Sequence, residues 1–153
     1  MGSTSIVIQS HIIGMFLPSL ITGALIKEYG HSKIIYSGAL IYLICIFLSF
    51  YDQTFINYLI ALVLLGIGWN FLFIGGTSLL VLCYKESEKF KVQGFNDVLV
   101  FSIQSIASLL AGYSILKFSW NEINLACIPL VLLIILVSAR SDIYQKRLLI
   151  SKS

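Results

Sequence analysis

The side chains of this 153-residue sequence that could act as nucleophiles, bases or metal ligands are few and scattered. Cys45, Cys83 and Cys127 form no CxxC pair, so they predict neither a disulfide framework nor a metal site. His11 and His31 are the only histidines, and the helices predicted below put them near opposite faces of the molecule. An enzyme needs paired or clustered groups at one depth, and the sequence contains no Walker motif for ATP. We therefore expect no catalytic residues, no metal and no cofactor.

A different chemistry, the binding of a solute, could be done by polar side chains that interrupt long apolar runs. Asn70 is the main candidate, because it lies in the middle of such a run beside Trp69, whose ring could stack on a planar solute. The competing interpretation is that Asn70 hydrogen-bonds to a neighbouring helix. Gln104 could line a cavity or join two helices, and His11 could relay protons or lie hydrated at the outer surface.

The composition indicates which solvent surrounds these residues. Hydrophobic residues make up 58% of the chain and charged residues 11%, whereas a soluble domain carries about 25% charged residues. So few charges cannot keep a soluble fold of this size in water. The composition excludes a disordered chain, a nucleic-acid-binding protein and most soluble enzymes, and it predicts that lipid is the main solvent.

Long stretches without charged side chains define the elements that must position the polar residues. A helix needs about 20 apolar residues to cross the hydrocarbon core of a bilayer. Charge-free runs near that length predict an all-α, polytopic membrane helix bundle over residues 1–139, followed by a basic tail at 140–153. The five predicted transmembrane helices cover about 6–26, 34–51, 56–82, 96–116 and 123–139.

The positive charges predict how the bundle is oriented. The connecting loops are short, so neighbouring helices run antiparallel, and nine of the ten Lys and Arg residues then fall on one side. By the positive-inside rule these nine face the cytoplasm, which places the C-terminus inside and the N-terminus outside. Lys117 lies alone on the other side. The nine are Lys27, Lys33, Lys85, Lys89, Lys91, Arg140, Lys146, Arg147 and Lys152.

The predicted external N-terminus has no signal peptide ahead of it, since no basic residue precedes the first apolar run. This combination, together with the odd number of helices, favours a chain that is one part of a longer polytopic protein. The alternative is a self-contained five-helix protein whose short N-terminus is translocated.

Two further residues are expected to shape the helices. Pro18 lies inside the first predicted helix and cannot donate a hydrogen bond to the preceding turn, so a kink is expected there. Asp97, or its neighbour Asn96, lies at the predicted start of the fourth helix, where its side chain can cap the helix and meet the positive end of its dipole. A gating salt bridge from Asp97 to Lys91 or to the 27–33 loop is the functional alternative.

The stretch 14–35, GMFLPSLITGALIKEYGHSKII, resembles the loop signature of major facilitator superfamily transporters, Gly-x-Leu-Ala-Asp-Arg-x-Gly-Arg-Lys. Gly23, Leu25 and Gly30 match its first glycine, its leucine and its second glycine. Lys27 stands where the aspartate is expected, and weakened copies of this kind are typical of the second half of these proteins. Gly23 and Gly30 are therefore candidate gating-loop residues. The rest of the chain is similar to the last three helices of a bacterial member: LLGIGWNFLFIGGTSLL, ESEKFKVQGFNDVLVF and SLLAGYSILKFSWNEIN.

The resemblance implies secondary active transport of a small solute across the cell membrane by alternating access. It implies that this chain supplies helices eight to twelve of a twelve-helix carrier; helices two to six have the same sidedness and are the alternative placement. The solute stays open, with a riboflavin-like compound as one suggestion. The implied partners are the solute, the lipid bilayer and a missing N-terminal half or other partner helices, without nucleic acid. A non-transporting membrane subunit is the alternative function, and five isolated helices are not expected to transport.

Cysteine labelling in intact cells tests the predicted orientation. With the native cysteines replaced, the Lys91→Cys variant should react only with a membrane-permeant maleimide, because its loop is predicted to face the cytoplasm. The Lys117→Cys variant should react with an impermeant maleimide added outside. Labelling of the 84–93 segment from outside would contradict the predicted sidedness.

Overall fold

The protein is built from α-helices in the part that the computed structural model describes, which is residues 2–51 and 54–150, with side chains at 4–51 and 54–140. Two short 3₁₀ turns, Val81–Cys83 and Glu86–Glu88, connect the fourth helix to the fifth. The six helices are α1 (Gly2–Phe16), α2 (Ser19–Tyr29), α3 (His31–Ser49), α4 (Phe55–Leu80), α5 (Lys89–Lys117) and α6 (Trp120–Ile150).

Five stretches of the described chain are long and apolar enough to cross a membrane, which confirms the predicted all-α bundle of five spans. Many large apolar side chains point away from the bundle; Leu20 is 81% exposed and Phe90 is 88% exposed. Such a surface suits lipid, where apolar side chains need no cover from other helices. The stretches are Thr4–Tyr29, His31–Ser49, Phe55–Cys83, Glu86–Lys117 and Trp120–Arg140.

The helices continue through polar residues that the sequence analysis assigned to loops. α2 reaches Tyr29 and α3 begins at His31, so the predicted loop at 27–33 is reduced to Gly30. The predicted tail at 140–153 is helical as far as Ile150, and Lys152 lies outside the described residues. Charged side chains end the lipid-facing part of a span, but Lys, Arg and Glu are good helix formers and let the helix continue.

The prediction that Asp97 caps the start of its helix is wrong, because this helix too begins among charged residues ahead of the apolar run. α5 begins at Lys89, so Asp97 lies about two turns inside the helix. Glu88 occupies the position before the helix and makes no side-chain capping bond. A side-chain cap is found instead at α4, where Thr54 Oγ1 accepts a hydrogen bond of 3.5 Å from the Asn57 backbone N–H.

The first span is interrupted where Pro18 predicts a kink, and we call this interruption the break. α1 ends at Phe16 and α2 begins at Ser19, with Leu17 and Pro18 in a turn between them. The Leu17 N–H still donates to the Ile13 carbonyl at 2.8 Å, but proline has no N–H with which to extend the ladder. The chain restarts its helix from the Pro18 carbonyl, which accepts hydrogen bonds from residues of α2.

α4 is the central helix, and α1 crosses it so closely that their backbones touch. A Cβ built on Gly66 would lie 2.5 Å from the His11 carbonyl oxygen, and one built on Gly14 would lie 2.8 Å from the Val63 carbonyl oxygen. Gly38 of α3 approaches the opposite side of α4 in the same way. Small residues permit this close approach, which drives helix association where no hydrophobic effect operates.

The remaining helices pack less tightly. Ala39 and Ile46 of α3 and Val131 of α6 form a small buried cluster that holds α6 against α3. α5 has no buried residue and contacts the described bundle only along a narrow strip. Its large exposed surface therefore faces lipid, solute or other helices.

Replacing Gly66 by alanine should destabilise the bundle, because the new Cβ would meet the His11 carbonyl oxygen at 2.5 Å and the Met15 nitrogen at 2.9 Å. Overpacking of this kind costs about 1–3 kcal/mol, which should lower the thermal unfolding midpoint in detergent by several degrees. Gly76→Ala on the same helix is the matched control, since nothing lies within 4 Å of a Cβ there. Equal midpoints for the two variants would count against the close crossing.

Candidate functional site

Asn70 is almost fully buried, at 1% exposure, where α4 passes the break between α1 and α2. Its Nδ2 donates to the Met15 carbonyl oxygen at 2.7 Å, and its Oδ1 accepts from Thr22 Oγ1 at 2.7 Å. Thr22 is itself 0% exposed. The structure thus engages Asn70 in bonds to neighbouring helices, as its competing interpretation expected, and leaves it no open face in this conformation.

These bonds compensate for the break at Pro18. Backbone carbonyls that lose their helical partner inside a membrane must find another donor, because lipid offers none. Asn70 supplies that donor for Met15, and the Ser19 hydroxyl donates to the Phe16 carbonyl at 2.5 Å. The polar residues around the break therefore supply donors to two carbonyls at the end of α1, those of Met15 and Phe16.

Trp69 belongs to a group of aromatic rings that joins α4 to α5. Its ring stacks on Phe73 with a centroid distance of 4.6 Å and an interplanar angle of 11°. The Phe73 ring lies 6.5 Å from that of Phe101 on α5. We call Trp69, Phe73 and Phe101 the aromatic run. It presents flat surfaces, partly exposed, in the groove between the two helices.

Gln104 lies on a polar face of α5. Asp97, Phe101, Gln104 or Ser105, and Ser108 follow one another at intervals of three or four residues, so they share one side of the helix. We call these five residues the polar face of α5. All are exposed, and shallow grooves run along them. The Ser105 hydroxyl donates to the Phe101 carbonyl at 2.8 Å, while the Gln104 amide makes no hydrogen bond to the described residues.

Phe101 belongs to both the aromatic run and the polar face, and we call the surface around it, where the rings of α4 meet α5, the α4–α5 groove. His11 lies elsewhere. Its Nδ1 is 2.7 Å from the Leu62 carbonyl oxygen, so Nδ1 carries a proton and Nε2 remains available as an acceptor in the neutral ring. This half-buried side chain joins α1 to α4 about two turns from Trp69.

The loop-motif glycines differ in their surroundings. Gly30 has a φ of +89°, the left-handed region that favours glycine, and its N–H donates to the Ile26 carbonyl at 2.8 Å. It lets α2 end and α3 begin with a single residue between them. Gly23 lies in α2, is exposed, and has nothing within 4 Å of the position of a Cβ.

Asp97 is exposed, and its carboxylate accepts a hydrogen bond of 3.4 Å from the Asn96 side chain. Among the described side chains the ion pair at this end of the bundle joins Lys89 to Glu86, at 3.4 Å. The proposed gating salt bridge from Asp97 to Lys91 is not formed in this conformation.

Sequence reasoning missed Thr22 and Phe73. A signal for Thr22 was present, because it is a hydroxyl residue four positions after Pro18, inside an apolar stretch where hydroxyls need partners. Phe73 follows Trp69 by one helical turn, a spacing at which side chains meet. The pairing of Thr22 with Asn70, in contrast, depends on how two distant segments cross.

A more enclosed cavity of about 400 Å³ lies between α3, α4 and α6. Its lining is mainly apolar and includes Cys45 and Cys127. The Cys45 thiol is buried and donates to the Ala61 carbonyl at 3.3 Å. Cys45 therefore acts as a small packing residue, whereas Cys127 is exposed and its thiol donates to the Ile123 carbonyl of its own helix.

Comparison with known proteins gives a consistent result. A family profile described as Major Facilitator Superfamily matches residues 2–147. The chain is 36% identical over 128 residues to a Brucella anthropi protein named Riboflavin transporter RfnT, covering 84% of this chain and 32% of that protein.

Two Bacillus subtilis proteins named as uncharacterized MFS-type transporters are also similar. YdeG is 36% identical over 127 residues, covering 82% of this chain and 30% of its own length. YddS is 34% identical over 141 residues, covering 86% of this chain and 32% of its own length. The chain therefore spans about a third of the length of these curated relatives. No solved structure matches it.

Proposed function

Because the chain belongs to the major facilitator superfamily, we propose that it acts as part of a secondary active transporter that moves a small solute by alternating access. Its five apolar spans are those of a multi-pass membrane protein. We assign them to helices eight to twelve, most of the C-terminal half, in the cell membrane. The basic residues gathered at one end of the bundle support an external N-terminus and a cytoplasmic C-terminus.

The observation that carries this proposal is the polar face of α5. Uncharged polar side chains are costly in hydrocarbon and usually face a protein interior or a water-filled cavity. α5 buries none of its residues against the described bundle, so its polar face is left for a cavity between two halves. A solute gradient or a proton gradient would drive the cycle, with binding at mid-membrane depth.

The groove between α4 and α5 suits a planar, uncharged solute. Trp69 and Phe101 offer aromatic faces for stacking, and the free Gln104 amide offers both a donor and an acceptor. Riboflavin, named for the Brucella anthropi relative, has a flat heteroaromatic ring with polar edges. We propose a riboflavin-like solute, with Trp69 and Gln104 as its contacts and with Asn70 and His11 acting between helices.

A chimera tests this function. The matched third of the Brucella anthropi riboflavin transporter is replaced by this chain, and uptake of labelled riboflavin is measured in cells that lack their own uptake system. We expect saturable uptake above that of empty cells. Trp69→Ala and Gln104→Leu should each reduce kcat/KM by about tenfold, the effect of losing roughly 1.4 kcal/mol of stacking or hydrogen bonding.

Phe47→Ala and Gln9→Leu are the matched controls, because they make the same kinds of change at exposed positions outside the α4–α5 groove. They should leave uptake within about twofold of the parent chimera. A chimera that reaches the membrane in normal amounts without any uptake would favour a non-transporting subunit. If neither groove variant affects uptake, the solute does not bind in this groove.

A further inference from the structure

The two halves of the first span are held to α4 in very different ways. α1 is fixed by backbone contact between Gly14 and Gly66 and by the His11 bond to the Leu62 carbonyl. α2 has only Thr22 and Ile26 buried and has no such backbone contact at Gly23, where a Cβ would have nothing within 4 Å. α2 is therefore the half that is more weakly attached to α4.

The break between these halves can serve as a pivot. Pro18 has no N–H, and its carbonyl accepts from the Ile21 and Thr22 backbone N–H groups at 3.0 and 2.9 Å, bonds that lie on the α2 side of the break. The bonds that reach across the break are those of the Leu20 N–H to the Leu17 carbonyl, at 3.3 Å, and of the Ser19 hydroxyl to the Phe16 carbonyl, at 2.5 Å. A change in the direction of α2 therefore needs no loss of hydrogen bonds inside either helix.

Thr22 and Asn70 provide the main polar link across to α2. Asn70 Nδ2 donates to Met15, so Oδ1 is the acceptor that faces Thr22. The Thr22 hydroxyl lies 2.7 Å from Asn70 Oδ1 and also 2.7 Å from the Pro18 carbonyl oxygen, yet it has one proton to donate. The hydroxyl can therefore donate either to Asn70 of α4 or to the Pro18 carbonyl next to its own helix. It keeps an acceptor when it leaves Asn70.

We propose that Thr22 and Asn70 form a latch between α2 and α4, and that α2 swings about Pro18 when the latch opens. When the latch is closed, the Thr22 hydroxyl donates its hydrogen bond to Asn70 Oδ1. When it is open, the hydroxyl donates to the Pro18 carbonyl oxygen, and Asn70 Oδ1 becomes accessible to water at the widened crossing. Thr22 and Asn70 are positioning residues in this scheme, and the scheme holds whichever solute, if any, the protein carries.

Spin-label distances on the purified chain in lipid nanodiscs test the latch without any transport assay. One label pair joins the end of α2 to the 3₁₀ turn that follows α4, using Lys27→Cys and the exposed native Cys83. A reference pair, Ser5→Cys with Ile56→Cys, joins α1 to α4, with the other cysteines replaced by alanine. Thr22→Val and Asn70→Leu should each broaden or shift the first distance by about 4 Å, the displacement of a helix roughly 16 Å long that swings by about 15°.

The reference distance should stay unchanged in both variants, because α1 is held to α4 by other contacts. Thr22→Ser, which keeps the hydroxyl, should restore the parent distribution. Thr77→Val is the matched control on α4, since the Thr77 hydroxyl bonds to the Phe73 carbonyl of its own helix. An unchanged α2–α4 distance in Thr22→Val and Asn70→Leu would overturn the latch. Equal broadening of both distances would also overturn it, because the two residues would then stabilise the whole bundle.

Discussion

The backbone contact between α1 and α4 is the constraint on which the rest of this structure depends. Because Gly14 and Gly66 have no side chains, the two helices cross closely enough for side chains of one to reach main-chain atoms of the other. Asn70 can then bond to the Met15 carbonyl, and His11 to that of Leu62. A wider crossing would leave polar groups at the Pro18 break without partners in a medium that supplies none.

Unlike α1, the long apolar helix α5 makes few contacts with the rest of the described bundle. Lipid explains its exposed Leu and Ile side chains, but it does not explain a row of Gln, Ser and Asp residues along one side. The proposed cavity would give this row contact with water, which lipid cannot supply. The aromatic run connects this row to the tightly packed α4.

The sequence predicted the parts of the fold that depend on solvent and on local chemistry. Charge-free runs gave the number and order of the five spans, and Pro18 gave the position of the break. Helix ends were predicted less well, as Asp97 shows, because charge marks the edge of the lipid and not the end of a helix. Of the candidate site residues, Trp69 is connected to α5 through Phe73 and Phe101, but the partners of Asn70 could not be predicted. Thr22 and Met15 are far from Asn70 in the chain, and only the depth at which the helices cross brings them together.

Gly30 has a consequence for how displacement spreads through the bundle. Because Gly30 alone connects α2 to α3, the adjoining ends of the two helices must move together. Beside this connection Ile34 and Ile35 are buried, and the Ile35 side chain fills the space over Gly75 near the far end of α4. A tilt of α2 therefore changes how tightly Ile35 of α3 packs against α4. A bend at Pro18 would in this way reach α4 by a second route, through α3 and Ile35, about 7.5 Å along α4 from Asn70.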